Sequence, residues 1–318
     1  MIPQEWLDQA YERLSGQVER TPVTEDAGLG LYLQWENRQI TGSFKLRGAL
    51  NKVETLLEEE RHTGLVCASA GNHGQGVALA ARRHGTRAIV FASDHAIPTK
   101  IQAMQALGAD VRTVAGGYAE AEAVGITYVR LYGMTWISPY NDVQVICGQS
   151  TLGRELLEQL EGRSIQAVYI PAGGGGLAAG VGEVFRRRAP GARVIAVQSE
   201  ASAYLHHLYS HGSQADVIES DSLADGLSGA VEAGAMTIPL VRNDVDEFLL
   251  VSEEEIGRAI AFAWRRYGEK IEGSAAVALA AARKRHPQDG PAAVILSGGN
   301  IQAEVHTALL ERYPQEGE

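Results

Sequence analysis

The chain has 318 residues, of which 45% are hydrophobic and 21% are charged, the composition of a soluble globular protein of one or two domains. Its formal net charge of -11 argues against nucleic acid as a partner, because phosphate backbones attract proteins with surplus lysine and arginine. No apolar run approaches the roughly 18 residues that span a bilayer, and the charged N-terminus lacks the apolar core of a signal peptide. The sequence therefore predicts a cytoplasmic protein without membrane partners, in which Cys67 and Cys147 are buried, reduced thiols.

The first predicted elements are two helices and a strand. Apolar spacing predicts a helix over 3–18, and alternation of apolar and polar residues predicts a strand over 31–35. The stretch TGSFKLRGAL then opens a predicted helix of about four turns, from Ser43 to about Glu59.

From residue 65 onward, apolar strands alternate with helices. This alternation is typical of mainly parallel sheets covered by helices on both faces, so the predicted fold class is α/β. We expect a smaller βα domain over 55–135, inserted into a larger domain made of 1–54 and 136–318. Strands are predicted at 65–70, 88–93, 110–115, 167–172, 194–198 and 292–297, and helices at 72–85, 98–108, 117–131, 176–189, 201–211, 253–267 and 273–286.

Three glycine-rich turns each follow a predicted apolar strand: SAGNHG at 69–74, PAGGGG at 171–176 and SGGN at 297–300. Ordinary turn chemistry explains one such turn. Three turns at strand carboxyl ends favour a ligand site, because ligands of open α/β sheets bind there. Residues 173–176 offer unobstructed amides in front of a predicted helix, whose N-terminus attracts anions.

The second of these turns also matches the G-x-G-x-x-A pattern of dinucleotide sites at Gly174, Gly176 and Ala179, which is a weak signal by itself. The next predicted strand ends in Gln198, where a dinucleotide site wants an acidic residue for the ribose. The turn therefore favours a single phosphate. No Walker lysine follows the glycines, which excludes a P-loop.

Lys45 lies in an apolar stretch where a lysine is unusual. Helical side chains lean toward the preceding turn, where Thr41 and Gly42 are small, and Gly48 leaves further space one turn ahead. A lysine amine removed from water has a depressed pKa and is a nucleophile. With a phosphate cradle and the neighbouring Phe44, this amine suggests a phosphate-bearing aldehyde, pyridoxal phosphate. The alternative is a lysine that extends its ammonium to water from a helix end.

Six motifs occur in order over nearly the whole chain: TGSFKLRGA, SAGNHGQG, GGGGLAAG, ADGL, IEGSAAVALAA and LSGGN. In order and spacing they resemble the fold-type II pyridoxal-phosphate enzymes, most closely the threonine/serine dehydratase (threonine ammonia-lyase) and serine racemase group. The resemblance implies a two-domain architecture similar to the tryptophan synthase β subunit, and a homodimer or higher homo-oligomer.

The resemblance also implies the site residues. Lys45 would be the catalytic residue, which carries the Schiff base and takes the α-proton. The substrate carboxylate would bind the loop of Ser69, Ala70, Gly71, Asn72 and His73. The cofactor would contact Phe44 and Gly226 at its two faces, Asn72 at its 3-hydroxyl, Gly173, Gly174, Gly175, Gly176 and Leu177 at its phosphate, Ser297 at its pyridine nitrogen, and Glu272 near its ring.

The implied activity follows from these residue types. A pyridine nitrogen that faces the neutral hydroxyl of Ser297 is not forced to protonate, which suits β-elimination better than transamination. The expected reaction converts L-threonine, L-serine or a related β-hydroxy amino acid into a 2-oxo acid and ammonia. A racemase or a β-replacement synthase with the same cofactor is the alternative, and a non-catalytic α/β ligand-binding protein is a third hypothesis.

Some positions depart from the family pattern or stay open. The racemases place a serine before the GNHG motif, where this chain has Ala70, so we expect little racemisation. The family's acidic metal-ligand positions read Gln198 and Tyr204, so we predict no metal site. Tyr140 and Asn141 either line the substrate pocket or belong to a plain loop. Because the chain stops soon after its last helix, no regulatory domain is expected.

Overall fold

The computed structural model describes residues 1–285 and 290–315. Its strands are β1 (Val23–Asp26), β2 (Leu31–Trp35), β3 (Leu65–Ala68), β4 (Ala88–Ser93), β5 (Asp110–Val114), β6 (Thr135–Trp136), β7 (Ala167–Pro171), β8 (Arg193–Ser199), β9 (Glu247–Val251) and β10 (Ala292–Leu296). Its α-helices are α1 (Gln4–Leu14), α2 (Lys45–Thr55), α3 (Glu58–Thr63), α4 (Asn72–Arg83), α5 (Pro98–Ala106), α6 (Tyr118–Tyr132), α7 (Val143–Gln159), α8 (Gly176–Arg188), α9 (Tyr204–His211), α10 (Thr237–Asp244), α11 (Glu253–Tyr267), α12 (Gly273–Arg285) and α13 (Ala303–Arg312).

The strands form two sheets. The larger sheet has the order β1-β2-β10-β7-β8-β9, and only its edge strand β1 runs antiparallel to its neighbour. The smaller sheet has the order β5-β4-β3-β6 and is parallel throughout. Every residue of β7 and β10 is buried, as expected for central strands with helices on both faces.

Local sequence signals fix several helix ends. Ser252 caps α11, because its hydroxyl accepts the Glu255 amide while the Glu255 carboxylate accepts the Ser252 amide. The same helix ends at Gly268, which has a left-handed φ of 70°. Pro98 lies in the first turn of α5, where a missing amide proton is harmless.

The predicted continuous helix from Ser43 to about Glu59 is wrong. Leu56 has a ψ of 145°, so the chain leaves helical geometry there and divides the segment into α2 and α3. Leu56 itself is buried, which indicates that core packing overrides the helical propensity of this leucine-rich and glutamate-rich stretch. The predicted helix ends at 286, outside the described residues, whereas α12 is described to Arg285.

Helix α2 shares a hydrophobic core with the smaller sheet. Leu46 and Leu50 of α2 share a hydrophobic core with Leu65 and Val90 of the smaller sheet. Helix α2 therefore packs on the smaller sheet, although it precedes that sheet in the chain. The division of the chain at residues 54 and 136 stays a prediction.

The lengths and compositions of the helices bear on membrane insertion. Within the described ranges, none combines the length and apolarity needed to cross a bilayer.

Candidate active site

A cavity of about 200 Å³ is lined by the start of α2 and by the segments that follow β3, β7 and β10. These strands end at glycine-rich turns, as the sequence indicates. All the site residues named from the sequence line this cavity, namely Phe44, Lys45, Ser69, Ala70, Gly71, Asn72, His73, Gly173, Gly174, Gly175, Gly176, Leu177, Gly226, Glu272 and Ser297.

Lys45 is the first residue of α2 and borders the cavity. Its Nζ donates a hydrogen bond to the Pro139 carbonyl at 3.0 Å and lies 5.2 Å from the centroid of the Phe44 ring. Removal from water lowers the pKa of Lys45 to about 8, although the nearby Glu272 carboxyl partly opposes this shift. A substantial fraction of the amine is therefore neutral near pH 8.

The start of α2 is fastened to the segment after β10. The Phe44 amide donates to the Ser297 carbonyl at 3.0 Å, and Ser43 forms an antiparallel bridge with Gly298. Lys45 and Ser297 are 252 positions apart in the sequence, yet these contacts hold both at one cavity wall.

Glycines allow the neighbouring helices to approach α2. A Cβ on Gly76 of α4 would lie 3.1 Å from the Lys45 carbonyl oxygen, and a Cβ on Gly148 of α7 would lie 2.6 Å from the Gly48 Cα. A Cβ on Gly48 would in turn overlap the Gln149 side chain. Helix α2 is therefore held tightly between α4 and α7.

The glycine turn before α8 fits an anion. A Cβ on Gly173 would lie 2.9 Å from the Leu227 Cα, and a Cβ on Gly174 would overlap the Tyr140 ring. Gly175 has a left-handed φ of 89°, a conformation that favours glycine. The turn leads into the first turn of α8, whose amides have no intrahelical acceptors. Thr237 supports the turn by donating its hydroxyl to the Gly174 carbonyl at 2.7 Å.

Two side chains that line the cavity, Asn72 and Glu272, form a hydrogen-bonded set with Asn300. Asn72 donates its amide to the Glu272 carboxyl at 2.6 Å, and Asn300 donates to the Asn72 side-chain oxygen at 2.7 Å. Burial raises the pKa of Glu272 to about 7. The set fixes the orientation of Asn72, because one end of its side chain donates and the other accepts.

The segment after β3 holds a neutral histidine. Burial and the charge of Lys45 lower the pKa of His73 to about 3. A neutral ring whose Nε2 lies 2.8 Å from the Ile137 carbonyl must donate its proton there. The buried Nδ1 has no hydrogen-bond partner among the described residues. At the start of the segment, the Ser69 hydroxyl accepts the Gly71 amide at 3.0 Å.

Sequence reasoning missed several lining residues. Lys100 forms an ion pair with Asp225, and the Ser274 hydroxyl accepts the Gly226 amide at 3.0 Å. Tyr118 also reaches the cavity, and its hydroxyl donates to Glu122 at 2.9 Å. Lys100 was detectable in principle, because it follows the end of β4 in a parallel sheet whose strand ends share one edge.

The sequence allows Tyr140 and Asn141 each either to line the substrate pocket or to belong to a plain loop, and the structure places them differently. Tyr140 lines the cavity, while its hydroxyl accepts the Glu232 amide at 2.9 Å. Asn141 is not among the described lining residues, and its amide donates to the Glu232 carboxylate at 2.7 Å. Asn141 therefore has the loop role.

The two positions considered for a metal lie outside the described cavity lining. Gln198 is fully buried, and its side-chain oxygen accepts the His206 amide at 3.1 Å, whereas Tyr204 begins α9. Over residues 1–285 and 290–315, no group of three or more histidine, cysteine or acidic side chains is arranged to hold a metal ion. Cys67 and Cys147 are both buried and unpaired with each other, and burial raises the pKa of each thiol.

Known proteins resemble this chain over most of its length. L-threonine ammonia-lyase of Thermotoga maritima is 37% identical over 319 residues, which cover 98% of this chain and 79% of the relative. The structure of processed threonine deaminase isoform 2 from Solanum lycopersicum has a TM-score of 0.86 and 31% identity, covering 97% of this chain and 94% of that one. Serine racemase from Dictyostelium discoideum has a TM-score of 0.85 and 30% identity, covering 95% of this chain and 99% of that one.

A family model described as pyridoxal-phosphate dependent enzyme matches residues 14–298. The resemblance stated from the motifs, the α/β fold class and the predicted cofactor are thereby confirmed. The chain belongs to the family of pyridoxal-phosphate dependent enzymes.

Proposed function

We propose that the chain is a pyridoxal-phosphate dependent ammonia-lyase that converts L-threonine, L-serine or a related β-hydroxy amino acid into a 2-oxo acid and ammonia. The observation that carries the proposal is the Lys45 amine, whose pKa is lowered to about 8 in a cavity that also contains a glycine turn and the Ser297 hydroxyl. The names of the bacterial and plant relatives supply the substrate class.

The donor set fits the cofactor. The turn of residues 173–176 and the start of α8 would hold the phosphate, and Lys45 would hold the aldehyde carbon. The Ser297 hydroxyl would face the ring nitrogen, and Asn72 would contact the ring hydroxyl. When bound, pyridoxal phosphate supplies an electrophilic aldehyde and a conjugated ring that withdraws electrons from the α-carbon.

Lys45 is the group that would move the α-proton. Its pKa of about 8 lets the Nζ atom exchange a proton near neutral pH, and the Pro139 carbonyl fixes that atom at 3.0 Å. His73 is unsuited to the same task, because its pKa of about 3 keeps the ring neutral and its Nε2 proton is engaged with Ile137. Ser297 remains uncharged, which fits elimination better than transamination.

The assembly and location of the enzyme are part of the same proposal. The family resemblance supports a homodimer or higher homo-oligomer in the cytoplasm. Sedimentation of the purified holoenzyme over a range of concentrations tests the assembly, and a species of monomer mass throughout would contradict it.

The activity is tested by incubating the holoenzyme with a panel of L-3-hydroxy amino acids and measuring ammonia and 2-oxo acid in each reaction. We expect equimolar release of both products from L-threonine or L-serine, and release lowered by about ten-thousandfold in the Lys45→Ala variant. Holoenzyme that retains its cofactor but releases neither product from any member of the panel would overturn the proposal.

Racemisation is the second candidate, because the chain resembles a solved serine racemase. Ala70 lines the cavity but has no exchangeable proton, so it cannot donate to the α-carbon. We expect little D-serine by chiral chromatography, and a larger D-serine fraction from Ala70→Ser. Equal rates of racemisation and ammonia release in the unmutated enzyme would favour the racemase.

A further inference from the structure

We propose that Lys100 binds the carboxylate of the amino-acid substrate, and that it does so by exchanging Asp225 for that carboxylate. The inference deepens the proposed function, because it rests on a substrate that carries an α-carboxylate. It adds a binding residue outside the segment 69–73 to which the sequence motifs point.

Lys100 lies in the first turn of α5, beside the smaller sheet, and its side chain is 13% exposed. Asp225 lies in the short turn before Gly226 and is 48% exposed. Their ion pair joins two segments that are 125 residues apart, and both residues line the cavity. The pair therefore bridges two walls of the candidate active site.

The position of Lys100 relates it to the segment after β3. A Cβ on Gly71 would lie 3.2 Å from the Lys100 Cδ and 3.8 Å from its Nζ. The absence of a side chain on Gly71 thus leaves room for the lysine. An anion that contacts the amides of Asn72 and His73, which lie in the first turn of α4 and have no intrahelical acceptors, would also be within reach of the Lys100 ammonium.

Charge balance points to the same residue. Among the described residues that line the cavity, Lys45 and Lys100 have the cationic side chains, and His73 is neutral. Lys45 is reserved for the cofactor in the proposed function. Lys100 is then the cation that remains to compensate a carboxylate brought into a cavity that already holds Asp225 and Glu272.

Lys100 can lose its contact with Asp225 more easily than a contact with a buried carboxylate. Its carboxylate is half exposed, so water can solvate it after Lys100 leaves, whereas Glu272 is buried. Before substrate arrives, Asp225 keeps the lysine charge compensated. The exchange replaces one carboxylate by another at the same ammonium.

The proposed exchange and a purely structural ion pair predict opposite effects of an Asp225 substitution on substrate affinity. If the pair only holds two walls together, loss of either partner should weaken substrate binding. If Asp225 competes with the substrate carboxylate, Asp225→Asn should strengthen binding while Lys100→Met weakens it. The two variants therefore have effects of opposite sign only under the exchange.

The test uses the holoenzyme and two non-eliminating probes, L-alanine and L-alaninamide, which share an amine but differ in the carboxylate. Binding is followed through the change in visible absorbance of the cofactor. We expect Lys100→Met to weaken L-alanine by roughly tenfold or more and to leave L-alaninamide nearly unchanged. Lys284→Met is the matched control, because Lys284 is an exposed lysine paired with Glu255 on the molecular surface.

Asp225→Asn supplies the second measurement. We expect it to tighten L-alanine severalfold and to leave L-alaninamide unchanged. L-alanine binding that is unchanged or weaker in Asp225→Asn contradicts the exchange, as does equal weakening of both probes in Lys100→Met. If Lys100→Met fails to fold, the direction of the Asp225→Asn effect decides alone.

These probes also separate this inference from the proposed function. L-Alanine has no β-leaving group, so its binding does not depend on elimination. A carboxylate-specific effect of Lys100 without ammonia release from L-threonine or L-serine would overturn the lyase and retain the binding role. Ammonia release with no carboxylate-specific effect of Lys100 would retain the lyase and overturn the binding role.

Discussion

Lys45 and Arg47 are two residues apart on α2. Arg47 is fully buried and Lys45 borders the cavity, and their surroundings have opposite effects on their charges. Arg47 donates to Glu36 and to Glu155, each at 2.8 Å, and also donates to Thr151. Lys45 donates to the neutral Pro139 carbonyl. The carboxylates raise the pKa of Arg47 despite its burial, whereas desolvation lowers the pKa of Lys45 to about 8.

The difference shows that burial alone does not make a cation reactive. Two residues along a helix correspond to about 200° of rotation, so Lys45 and Arg47 lie on different faces of α2. One face meets the cavity, and the other meets a pair of carboxylates that fix the arginine. Arg47, whose charge is balanced by two carboxylates, stabilises the position of the helix. Lys45, which has only a neutral hydrogen-bond acceptor, can lose its proton and react.

The largest expected effect comes from removing the Lys45 amine. Lys45→Ala should lower ammonia release by about ten-thousandfold, because the amine that we propose to hold the cofactor and to move the α-proton is lost. Steady-state assays with L-threonine, together with circular dichroism to verify folding, provide the measurement. A folded variant that retains substantial turnover would show that Lys45 is not the catalytic base.

The second largest effect is the loss of stability that follows removal of the Arg47 guanidinium. Arg47→Met should lower the free energy of unfolding by about 3–5 kcal/mol, because Glu36 and Glu155 are left buried without their partner. Urea denaturation of the apoenzyme measures this change. Arg20→Met, which breaks an exposed pair with Glu158, is the control and should change stability far less. Similar changes in the free energy of unfolding of both variants would show that the buried Arg47 pairs contribute no more than the exposed Arg20 pair.

The third effect is a pH dependence. In the proposed function only the neutral form of the Lys45 amine would react with the cofactor aldehyde, so loading of the apoenzyme should accelerate as pH rises and level off above the pKa of about 8. Between pH 7 and pH 9 we expect about a tenfold increase in the loading rate. Stopped-flow absorbance provides the rate, with Lys45→Ala as the blank for reaction at other lysines. A rate still rising steeply above pH 9 would indicate an ordinary, solvated lysine.

The smallest effect concerns stability at Lys45. Its folded-state pKa lies below the ordinary value, so the unfolded chain binds the proton more tightly. Stability is therefore lost as pH falls from the ordinary lysine pKa toward about 8, and the loss is complete below pH 8. Lys45→Met should therefore stabilise the apoenzyme by about 1 kcal/mol at pH 7, a value reduced because the amine borders the open cavity. Urea midpoints at pH 7 and pH 10 measure the effect, which should shrink at the higher pH.

Local sequence signals predicted the alternating elements and the three glycine turns, because both depend on neighbouring residues. Helix α7 was missed, since it is buried on most sides and shows no single apolar stripe. Strand β1 was missed because VTED is a short, partly exposed edge strand. The Arg47–Glu155 and Lys100–Asp225 pairs each join side chains more than 100 residues apart, which no local pattern relates.

The position of β10 has a consequence for synthesis of the protein on the ribosome. Strand β2 emerges early, but β10 must insert between β2 and β7 before the larger sheet is continuous. The same late segment provides Ser297, whose carbonyl receives the Phe44 amide beside Lys45. A nascent chain that ends before β10 therefore cannot complete the cavity, and the wall that carries Lys45 and Ser297 can close only after β10 and the turn that follows it have left the exit tunnel.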